Sequence, residues 1–420
     1  MDNLTHTLIG ALVGEAAARI TPRTRSNLPE QTRRNLCVTL SAVGSNLPDS
    51  DLLYSFFGGQ VNYLLHHRGH THTILIALLL GAAAFGLTRW WLRRRKLQAS
   101  GADQWLFAGV LLLTPLLHIA MDFSNNYGVH PFWPLDNRWV YGDSVFIIEP
   151  LFWAACAPLA FIFRTPLARF IVWLVMVLAI ALVFFIGMVP KPIAAVYSLL
   201  VLAMLLLGWR APQGMALAAG ITVWLGATLM FVIAAQAAKQ RIEEIAARQF
   251  PGSELLDYVV TPMPSNPFCW EIMLVQKEAD SAVLRRAMFA HAPSLLAADQ
   301  CLTRSLDRPV TAPLADVARA STPELKWYGQ IGTPLEQLRE VATHCEAAAA
   351  LRFIRVPWLA TVENELVLGD LRYDREAELG FSEIAVSGRP NCPPFVPRWV
   401  PPRLDLLTPE AREWTTSSSP

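Results

Sequence analysis

The chain has 420 residues, of which 53% are hydrophobic and only 16% are charged, and its formal net charge is +1. Soluble globular domains carry about 25% charged residues, so this composition predicts an integral membrane protein. A nearly neutral chain without a stripe of Lys and Arg among aromatic residues also argues against a nucleic-acid partner.

Two amphipathic segments come first, at residues 4–18 and 35–47, and each is short for a membrane span, which takes about 20 apolar residues. We interpret them as a helical hairpin packed on or partly into a helical bundle. The first apolar run contains His6 and Glu15 and follows no basic segment. It therefore does not resemble a signal peptide, and we expect it to stay in the mature protein.

Six longer apolar runs follow, and each is long enough, or nearly so, to span the hydrocarbon core. They cover residues 73–90, 104–121, 145–163, 168–189, 193–209 and 214–235. Beyond residue 250, the segments CWEIMLVQ, LRFIRVPWLATV, ELVLGDLRYD and GFSEIAVSG predict strands, and PLEQLREVATHCEAAAAL predicts one helix. The sequence thus predicts an all-α polytopic membrane bundle (1–240), a soluble C-terminal α+β domain (250–405) and a polar tail (406–420).

Basic residues are distributed unevenly over the predicted loops. Three lie on one side of the bundle and thirteen on the other, namely Arg19, Arg23, Arg25, Arg33, Arg34, Arg89, Arg93, Arg94, Arg95, Lys96, Arg164, Arg169 and Arg210. Because Lys and Arg are enriched in cytoplasmic loops, the Arg-rich side is expected to face the cytoplasm. His6, the loops 46–72 and 118–144 and the C-terminal domain are then extracytoplasmic, where disulfides form among Cys269, Cys301, Cys345 and Cys392 only if the compartment is oxidising.

His118 and Asp122 are the sharpest candidate metal ligands. They lie four residues apart, hence on one face of an apolar helix. A carboxylate near membrane depth needs a partner, and imidazole together with carboxylate suits Zn²⁺ or a similar first-row metal. The alternative is a satisfied core histidine beside a solvated carboxylate at the helix end.

Further candidate ligands come from separate parts of the same predicted side. Asp49 and Asp51, two residues apart in a turn, can bind one cation or bridge two, or they simply cap a helix or turn. His6 gains weight only from its predicted side of the membrane. His130 follows in the loop after the His/Asp helix, and Asp143 is an additional candidate.

The stretch HHRGHTHT, just before the first long apolar run, holds four of the nine histidines. We expect His67 and His72 to be ligands, with His66 and His70 solvated or supporting the ligands. Arg68 is interpreted either as a clamp for a phosphate group or as an anchor for a lipid headgroup.

At these residues the sequence resembles a known family. MDNLTHTLIG, LPDSD, HHRGHTHT and HIAMDFSNNYGVHPFWP are similar to the hallmark motifs of membrane-bound metal-dependent hydrolases, also described as LexA-binding inner-membrane-associated hydrolases, with YdjM as namesake. The resemblance covers about the first 190 residues. VTPMPSNPFCWEIMLVQ resembles the start of a C-terminal extension found in many members. The resemblance implies an inner-membrane protein with metal-dependent hydrolytic activity.

A more distant similarity is to the zinc-dependent phospholipase C and P1-type nuclease group of all-α enzymes. That similarity implies the metal ligands Asp49, His67 or His72, His118, Asp122 and His130. The N-terminal tryptophan ligand of that group is absent here, and the spacing from Asp122 to His130 is longer than the corresponding spacing in that group. These departures favour one or two metal ions over three.

The resulting hypothesis is a metal-dependent hydrolase with one or two divalent ions, Zn²⁺ first, at the outer face of the inner membrane. Its substrate would be a phosphoester or ester of a lipid-like or envelope molecule. Membrane lipids are its other expected partners. Arg68 would neutralise a phosphate, and Asp51 or Glu149 would orient the water; Glu149 is equally interpreted as a buried structural carboxylate. The alternatives are a structural, transport or sensing metal site without hydrolysis. Transport is disfavoured because the run FIVWLVMVLAIALVFFIGMV contains no ionisable residue.

Overall fold

The fold is taken from a computed structural model that describes residues 1–20, 25–55, 57, 59–185, 187–301, 309–386 and 392–408. A helical N-terminal region precedes a C-terminal β-sheet domain, as the sequence predicts. The helices of the first region are α1 (Asn3–Ile20), α2 (Glu30–Gly44), α3 (Leu52–Ser55), α4 (Gly59–His66), α5 (Ile74–Arg94), α6 (Gly101–Phe123), α7 (Pro150–Ala155), α8 (Leu159–Ile162), α9 (Pro166–Phe185), α10 (Lys191–Arg210) and α11 (Gln213–Gln249).

Five helices among the described residues are long and apolar enough to cross a membrane: α5, α6, α9, α10 and α11. Large apolar side chains are exposed along them, as expected where lipid replaces water. The predicted span 145–163 is different, since it forms the two short buried helices α7 and α8. Pro158 lies between them, and a proline cannot donate the hydrogen bond that would continue α7.

The expected N-terminal hairpin is formed by α1 and α2, which pack against each other and against α6. Glu15 of α1 and Arg34 of α2 form a buried ion pair with an Oε1–Nη2 distance of 2.8 Å. Arg34 also donates to the carbonyl of Ile162, 2.7 Å away, at the end of α8. The hairpin is therefore part of the bundle interior rather than an appendage.

The C-terminal domain contains two antiparallel sheets. The first has the order β1-β2-β3-β4 and the second β5-β6-β7. The strands are β1 (Glu254–Met263), β2 (Asn266–Glu278), β3 (Ser281–Ala290), β4 (Leu325–Pro334), β5 (Pro357–Val362), β6 (Glu365–Asp370) and β7 (Glu383–Ala385), and the helices are α12 (Leu335–Val341), α13 (Cys345–Ala350) and α14 (Leu404–Leu407). Disulfides join Cys269 to Cys301 and Cys345 to Cys392.

The sequence predictions for this domain hold only in outline. The single helix expected at 334–351 is divided into α12 and α13, because His344 between them is extended with ψ 131°. The predicted strands of LRFIRVPWLATV and GFSEIAVSG shorten to β5 and β7. In the predicted tail 406–420, the part beyond residue 408 lies outside the described residues.

Two hydrophobic cores attach this domain to the bundle. In one, Phe231 of α11 packs edge-on against Trp270 of β2. In the other, Leu64 and Tyr127 of the helical region share a cluster with Trp358 and other residues of the C-terminal domain. The indole of Trp399 also donates to the carbonyl of Leu65 at 2.8 Å. The domain thus covers the loops that carry the predicted ligands.

Candidate metal centre

Two groups of His and Asp side chains lie where the loop after α2, the histidine-rich stretch before α5 and the end of α6 meet, beside the start of α1. In each group, one ligand atom per residue lies within 4.8 Å of the others. The first group is Asp49, His72, His118 and Asp122, and the second is Asp49, Asp51 and His67. Asp49 belongs to both groups, so the two candidate ion positions adjoin.

The end of α2 is what brings these parts together. Gly44 is its last residue, and a Cβ there would collide with Oγ1 of Thr114 on α6. The glycine therefore allows the two helices to approach closely, which places the carbonyl of Ser45 at 2.6 Å from Nδ1 of His118. His118 and Asp122 lie one turn apart on α6, so both side chains point to this junction.

Five of the six distances among the four donor atoms of the first group lie between 3.0 and 3.5 Å. Nε2 of His72 and Nε2 of His118 are 3.0 Å apart. Oδ1 of Asp49 lies 3.4 and 3.5 Å from these nitrogens, and Oδ2 of Asp122 lies 3.2 and 3.3 Å from them. Ligands at about 2.0–2.1 Å from a tetrahedral zinc ion are themselves about 3.3–3.4 Å apart. The spacing therefore matches a four-coordinate first-row ion.

The hydrogen-bond partners assign the protons of both histidines. Nδ1 of His118 donates to the carbonyl of Ser45, since a carbonyl only accepts. Nδ1 of His72 lies 3.3 Å from Oδ2 of Asp51 and donates to it. In a neutral ring Nε2 then carries a lone pair, whereas in a protonated ring it would donate a hydrogen bond to the carboxylate of Asp49. Two lone pairs 3.0 Å apart repel each other, so either a proton or a metal ion must lie between them.

Asp49 and Asp122 each direct one carboxylate oxygen toward the other donors of the first group, and a neighbouring side chain binds the second oxygen. Oδ2 of Asp49 accepts from Nδ2 of Asn3 at 2.7 Å, and Oδ1 of Asp122 pairs with Nη2 of Arg68 at 3.0 Å. Oδ2 of Asp122 is buried and accepts no hydrogen bond within the described part of the chain. Ligands oriented in this way by outer partners are typical of metal sites. The donor set therefore fits a divalent ion.

His6 lies beside the first group but belongs to neither group of described residues. Its ring stacks on that of His118 with centroids 3.7 Å apart, and its Nε2 lies 3.3 Å from Oδ1 of Asp122. The backbone nitrogen of Met1 also contacts this oxygen. His6 was predicted as a ligand, but here it contacts the oxygen of Asp122 that faces away from the other donors.

The carboxylates outside the membrane helices keep their negative charge. Burial opposes ionisation of Asp49, but hydrogen bonds with His118 and His72 hold its pKa well below its usual range. For His72, burial lowers the pKa, whereas hydrogen bonds with Asp49 and Asp51 outweigh it and leave the pKa raised. Excess negative charge in a buried cluster is costly unless a cation offsets it, which again suits a divalent ion.

The carboxylate of Asp51 contacts several residues of the histidine-rich stretch. Its Oδ1 lies 3.3 Å from Nδ1 of His67, and its Oδ2 accepts from Oγ1 of Thr71 at 3.0 Å and from the backbone amide of Arg68 at 2.9 Å. With the contact to His72, one carboxylate orients both candidate ligands of this stretch. His66 and His70 belong to neither group of described residues.

Arg68 is 1% exposed and adopts a left-handed backbone conformation with φ 60°, which is uncommon outside glycine. Its guanidinium donates to Oδ1 of Asn125 at 2.9 Å, pairs with Asp122 and lies 4.6 Å from the centre of the Tyr127 ring. Nδ1 of His130 donates to its carbonyl at 3.3 Å. A backbone held in a sparsely populated region by several partners is common at functional sites.

His130 and Asp143, predicted as metal ligands, are engaged elsewhere. The ring of His130 stacks on Trp399 at 3.8 Å, and burial lowers its pKa to about 3, so it is neutral. Both oxygens of Asp143 accept from the guanidinium of Arg355, at 2.9 and 3.0 Å. Neither residue belongs to the two groups of described ligands, because each side chain already has a structural partner.

Glu149 is also separate from the groups. It is fully buried and accepts hydrogen bonds from the backbone amides of Leu151, at 3.0 Å, and Ser265, at 3.1 Å. It joins α7 to the turn between β1 and β2. These contacts correspond to the structural carboxylate that the sequence left open as an alternative to a general base.

A cavity of about 420 Å³ opens beside the two groups. Asp49, His67 and Arg68 line it from the helical region, and Tyr373 and Arg375 line it from the C-terminal domain. The last two were missed in the sequence, where ELVLGDLRYD, which contains Tyr373 and ends just before Arg375, predicts only a strand. Their role depends on a contact between distant parts of the chain, for which a single sequence contains no signal.

Residues 1–193 match the family model described as YdjM inner membrane protein. This YdjM segment covers most of the helical region and ends where α10 begins. The match confirms the resemblance seen in the motifs, and the five apolar helices fit a multi-pass membrane protein. No curated protein and no solved structure matches the chain, so the more distant similarity to P1-type nucleases rests on the order of motifs alone. Both ligand groups lie inside the YdjM segment, whereas Tyr373 and Arg375 lie beyond it.

Proposed function

We propose that this chain is a metal-dependent hydrolase of phosphoester or ester bonds in a lipid-like or envelope substrate. One observation carries the proposal: two imidazole nitrogens and two carboxylate oxygens converge at 3.0–3.5 Å in a buried site, each oriented by an outer partner. Nitrogen and oxygen donors of this kind suit Zn²⁺ or another first-row ion. The cavity beside them leaves room for a substrate.

In this mechanism Asp49, His72, His118 and Asp122 hold the ion. When bound, a divalent ion supplies Lewis acidity and a nucleophilic water near neutral pH. Asp51 fixes the ring orientation of the neighbouring histidines. Where only the first group holds an ion, Asp51 rather than Glu149 would orient the attacking water.

In this mechanism the guanidinium of Arg68 binds the negatively charged group of the substrate. Its guanidinium is fixed by Asp122 and Asn125, so it does not reorganise during the reaction. Fixed positive charge beside a cavity stabilises a phosphoryl group most strongly where charge develops.

The second group supports hydrolysis rather than storage of an ion. It has three ligands, and Asp49 and His67 line the cavity. Catalytic zinc sites keep three protein ligands and one open position. Because Asp49 belongs to both groups, it would help to hold each ion if two were bound, and two-metal sites occur in phosphatases and nucleases.

The proposed placement is at the outer face of the inner membrane. α5 starts beside His72 and ends about 30 Å away, where Arg94 and Arg95 lie over the rings of Trp90 and Trp91. Arginine and tryptophan at one helix end are typical of a cytoplasmic interface. The two disulfides of the C-terminal domain agree with an oxidising compartment on the opposite side.

A second candidate function is a structural metal site without hydrolysis. It is favoured by the first group, because four protein ligands complete a tetrahedral shell, as in structural zinc sites. In that case the ion would stabilise the junction of α1, α2 and α6, and the cavity would serve another purpose.

The test is hydrolysis by the full chain purified in detergent, with short-chain phosphatidylglycerol and a chromogenic phosphodiester as substrates. We expect activity that a chelator removes and zinc restores, that His118→Ala abolishes and that His70→Ala leaves intact. Retention of the metal with no hydrolysis of any phosphoester or carboxyl ester would favour the structural function instead.

A further inference from the structure

The cavity beside the metal centre collects hydrogen-bond donors that lack acceptors. Nε of Arg68, the hydroxyls of Tyr127 and Tyr373 and Nη1 of Arg375 are buried and have no hydrogen-bond partner among the described residues. All four residues line this cavity. A buried donor without an acceptor costs about 1–3 kcal/mol, and more when it is charged. Four of them around one cavity indicate a ligand rich in acceptor oxygens.

Each donor is held in place by contacts that leave the unpaired atom available. Arg375 donates through Nη2 to Oε2 of Glu271 at 2.5 Å, while Nη1 has no acceptor. Arg68 is anchored through both terminal nitrogens, which leaves Nε. The rings of Tyr127 and Tyr373 lie 6.0 Å apart in one aromatic cluster. The site is therefore built before any ligand arrives.

The charge and protonation of the four groups select an anion. Two of the residues are arginines, and arginine binds phosphate and carboxylate oxygens through charge-assisted hydrogen bonds. Burial raises the pKa of Tyr373 to about 12 and that of Tyr127 well above its usual value, so both hydroxyls remain donors. A carboxylate offers its acceptor sites in one plane, whereas the oxygens of a tetrahedral oxyanion point in three dimensions and suit donors that come from both the helical region and the C-terminal domain.

We propose that Arg68, Tyr127, Tyr373 and Arg375 form a binding site for a phosphoryl group next to the metal centre. The C-terminal domain, which lies beyond the YdjM segment, thus supplies half of this site. The proposal rests on the proposed function for its placement in a hydrolase and specifies the substrate as a phosphoester rather than a carboxyl ester. Tyr373 and Arg375 are then binding residues that determine specificity, not metal ligands.

The test measures binding of radiolabelled inorganic phosphate to the purified full chain by equilibrium dialysis, with metal content determined on the same samples. Charged hydrogen bonds contribute more than neutral ones, so we expect Arg375→Gln to weaken binding at least tenfold and Tyr373→Phe three- to tenfold. Matched controls are Arg248→Gln, an exposed arginine, and Tyr258→Phe, whose hydroxyl donates to Glu243. Both controls should bind phosphate like the wild type.

Several results separate this inference from the proposed function. Two results overturn the inference and leave the proposed hydrolase activity unaffected. In the first, the wild-type chain retains its metal but shows no saturable phosphate binding in the millimolar range. In the second, both variants bind phosphate with the affinity of the wild type. Phosphate binding that both variants weaken supports the inference even in a chain that hydrolyses nothing. Should Arg375→Gln fail to fold, Tyr373→Phe, which removes a single hydroxyl, still decides.

Competition identifies the source of the phosphoryl group. Displacement of labelled phosphate by dihexanoylphosphatidic acid, with glycerol 3-phosphate much weaker, supports the site with a lipid phosphate as ligand. Equal displacement by both supports it with a soluble phosphoester. Displacement by neither overturns the assignment to a substrate phosphoester, since the site would then accept inorganic phosphate alone.

Discussion

Replacing His118 by alanine is the perturbation with the clearest expected consequence. The change removes one of the four donors of the first group and leaves those of Asp49, His72 and Asp122. Four-ligand zinc sites in small domains bind with about 10–16 kcal/mol, so one ligand contributes roughly 3–4 kcal/mol. Such a loss corresponds to about 10²- to 10³-fold weaker metal binding.

The assay is a competition titration against a zinc chelator of known affinity, with the purified full chain in detergent. His70→Ala is the matched control, because His70 comes from the same histidine-rich stretch yet packs on Trp133 and Trp399 outside both groups. Circular dichroism and size-exclusion chromatography check that both variants retain the helical fold. Equal zinc affinity in His118→Ala and the wild type would refute the tetrahedral site.

Three further predictions concern the surroundings of the site. Asp51→Asn should weaken metal binding about 10- to 100-fold in the chelator titration, because the carboxylate that orients His72 loses its charge. Gly44→Ala should lower the melting temperature and the metal affinity together, since its Cβ collides with α6, whereas Gly109→Ala, which faces open space, should not; equal effects would contradict the close approach. Burial and the neighbouring carboxylate of Asp374 raise the pKa of Glu383 to about 7. Because the folded chain therefore binds this proton more tightly than the unfolded chain does, the free energy of unfolding should fall as pH rises from about 4.5 to 7. Glu383→Gln should reduce that fall in thermal melts, and an unchanged pH profile would contradict the raised pKa.

The parts of the site that are local in sequence were predictable. A spacing of four residues places His118 and Asp122 on one helix face in whatever tertiary structure the helix joins. The same holds for long apolar helices, whose length and composition determine their ability to span a membrane. The fit of α5, α6, α9, α10 and α11 to such spans follows from composition alone.

Features that depend on distant partners were not predictable from one chain. Asp143 is removed from the ligand set by Arg355, which lies 212 residues further along the sequence. Tyr373 and Arg375 reach the cavity only because the C-terminal domain folds over the end of the bundle. The break at Pro158 is an intermediate case, since the proline itself was a signal against a continuous helix over 145–163.

The central claim is that the His/Asp cluster holds a metal ion, and elemental analysis with X-ray absorption on the wild-type chain, purified without chelator, tests it most directly. We predict one or two first-row ions per chain, surrounded by nitrogen and oxygen ligands at about 2.0–2.1 Å and by no sulfur. A chain that contains no bound ion, and takes up none when zinc is supplied, would contradict the account.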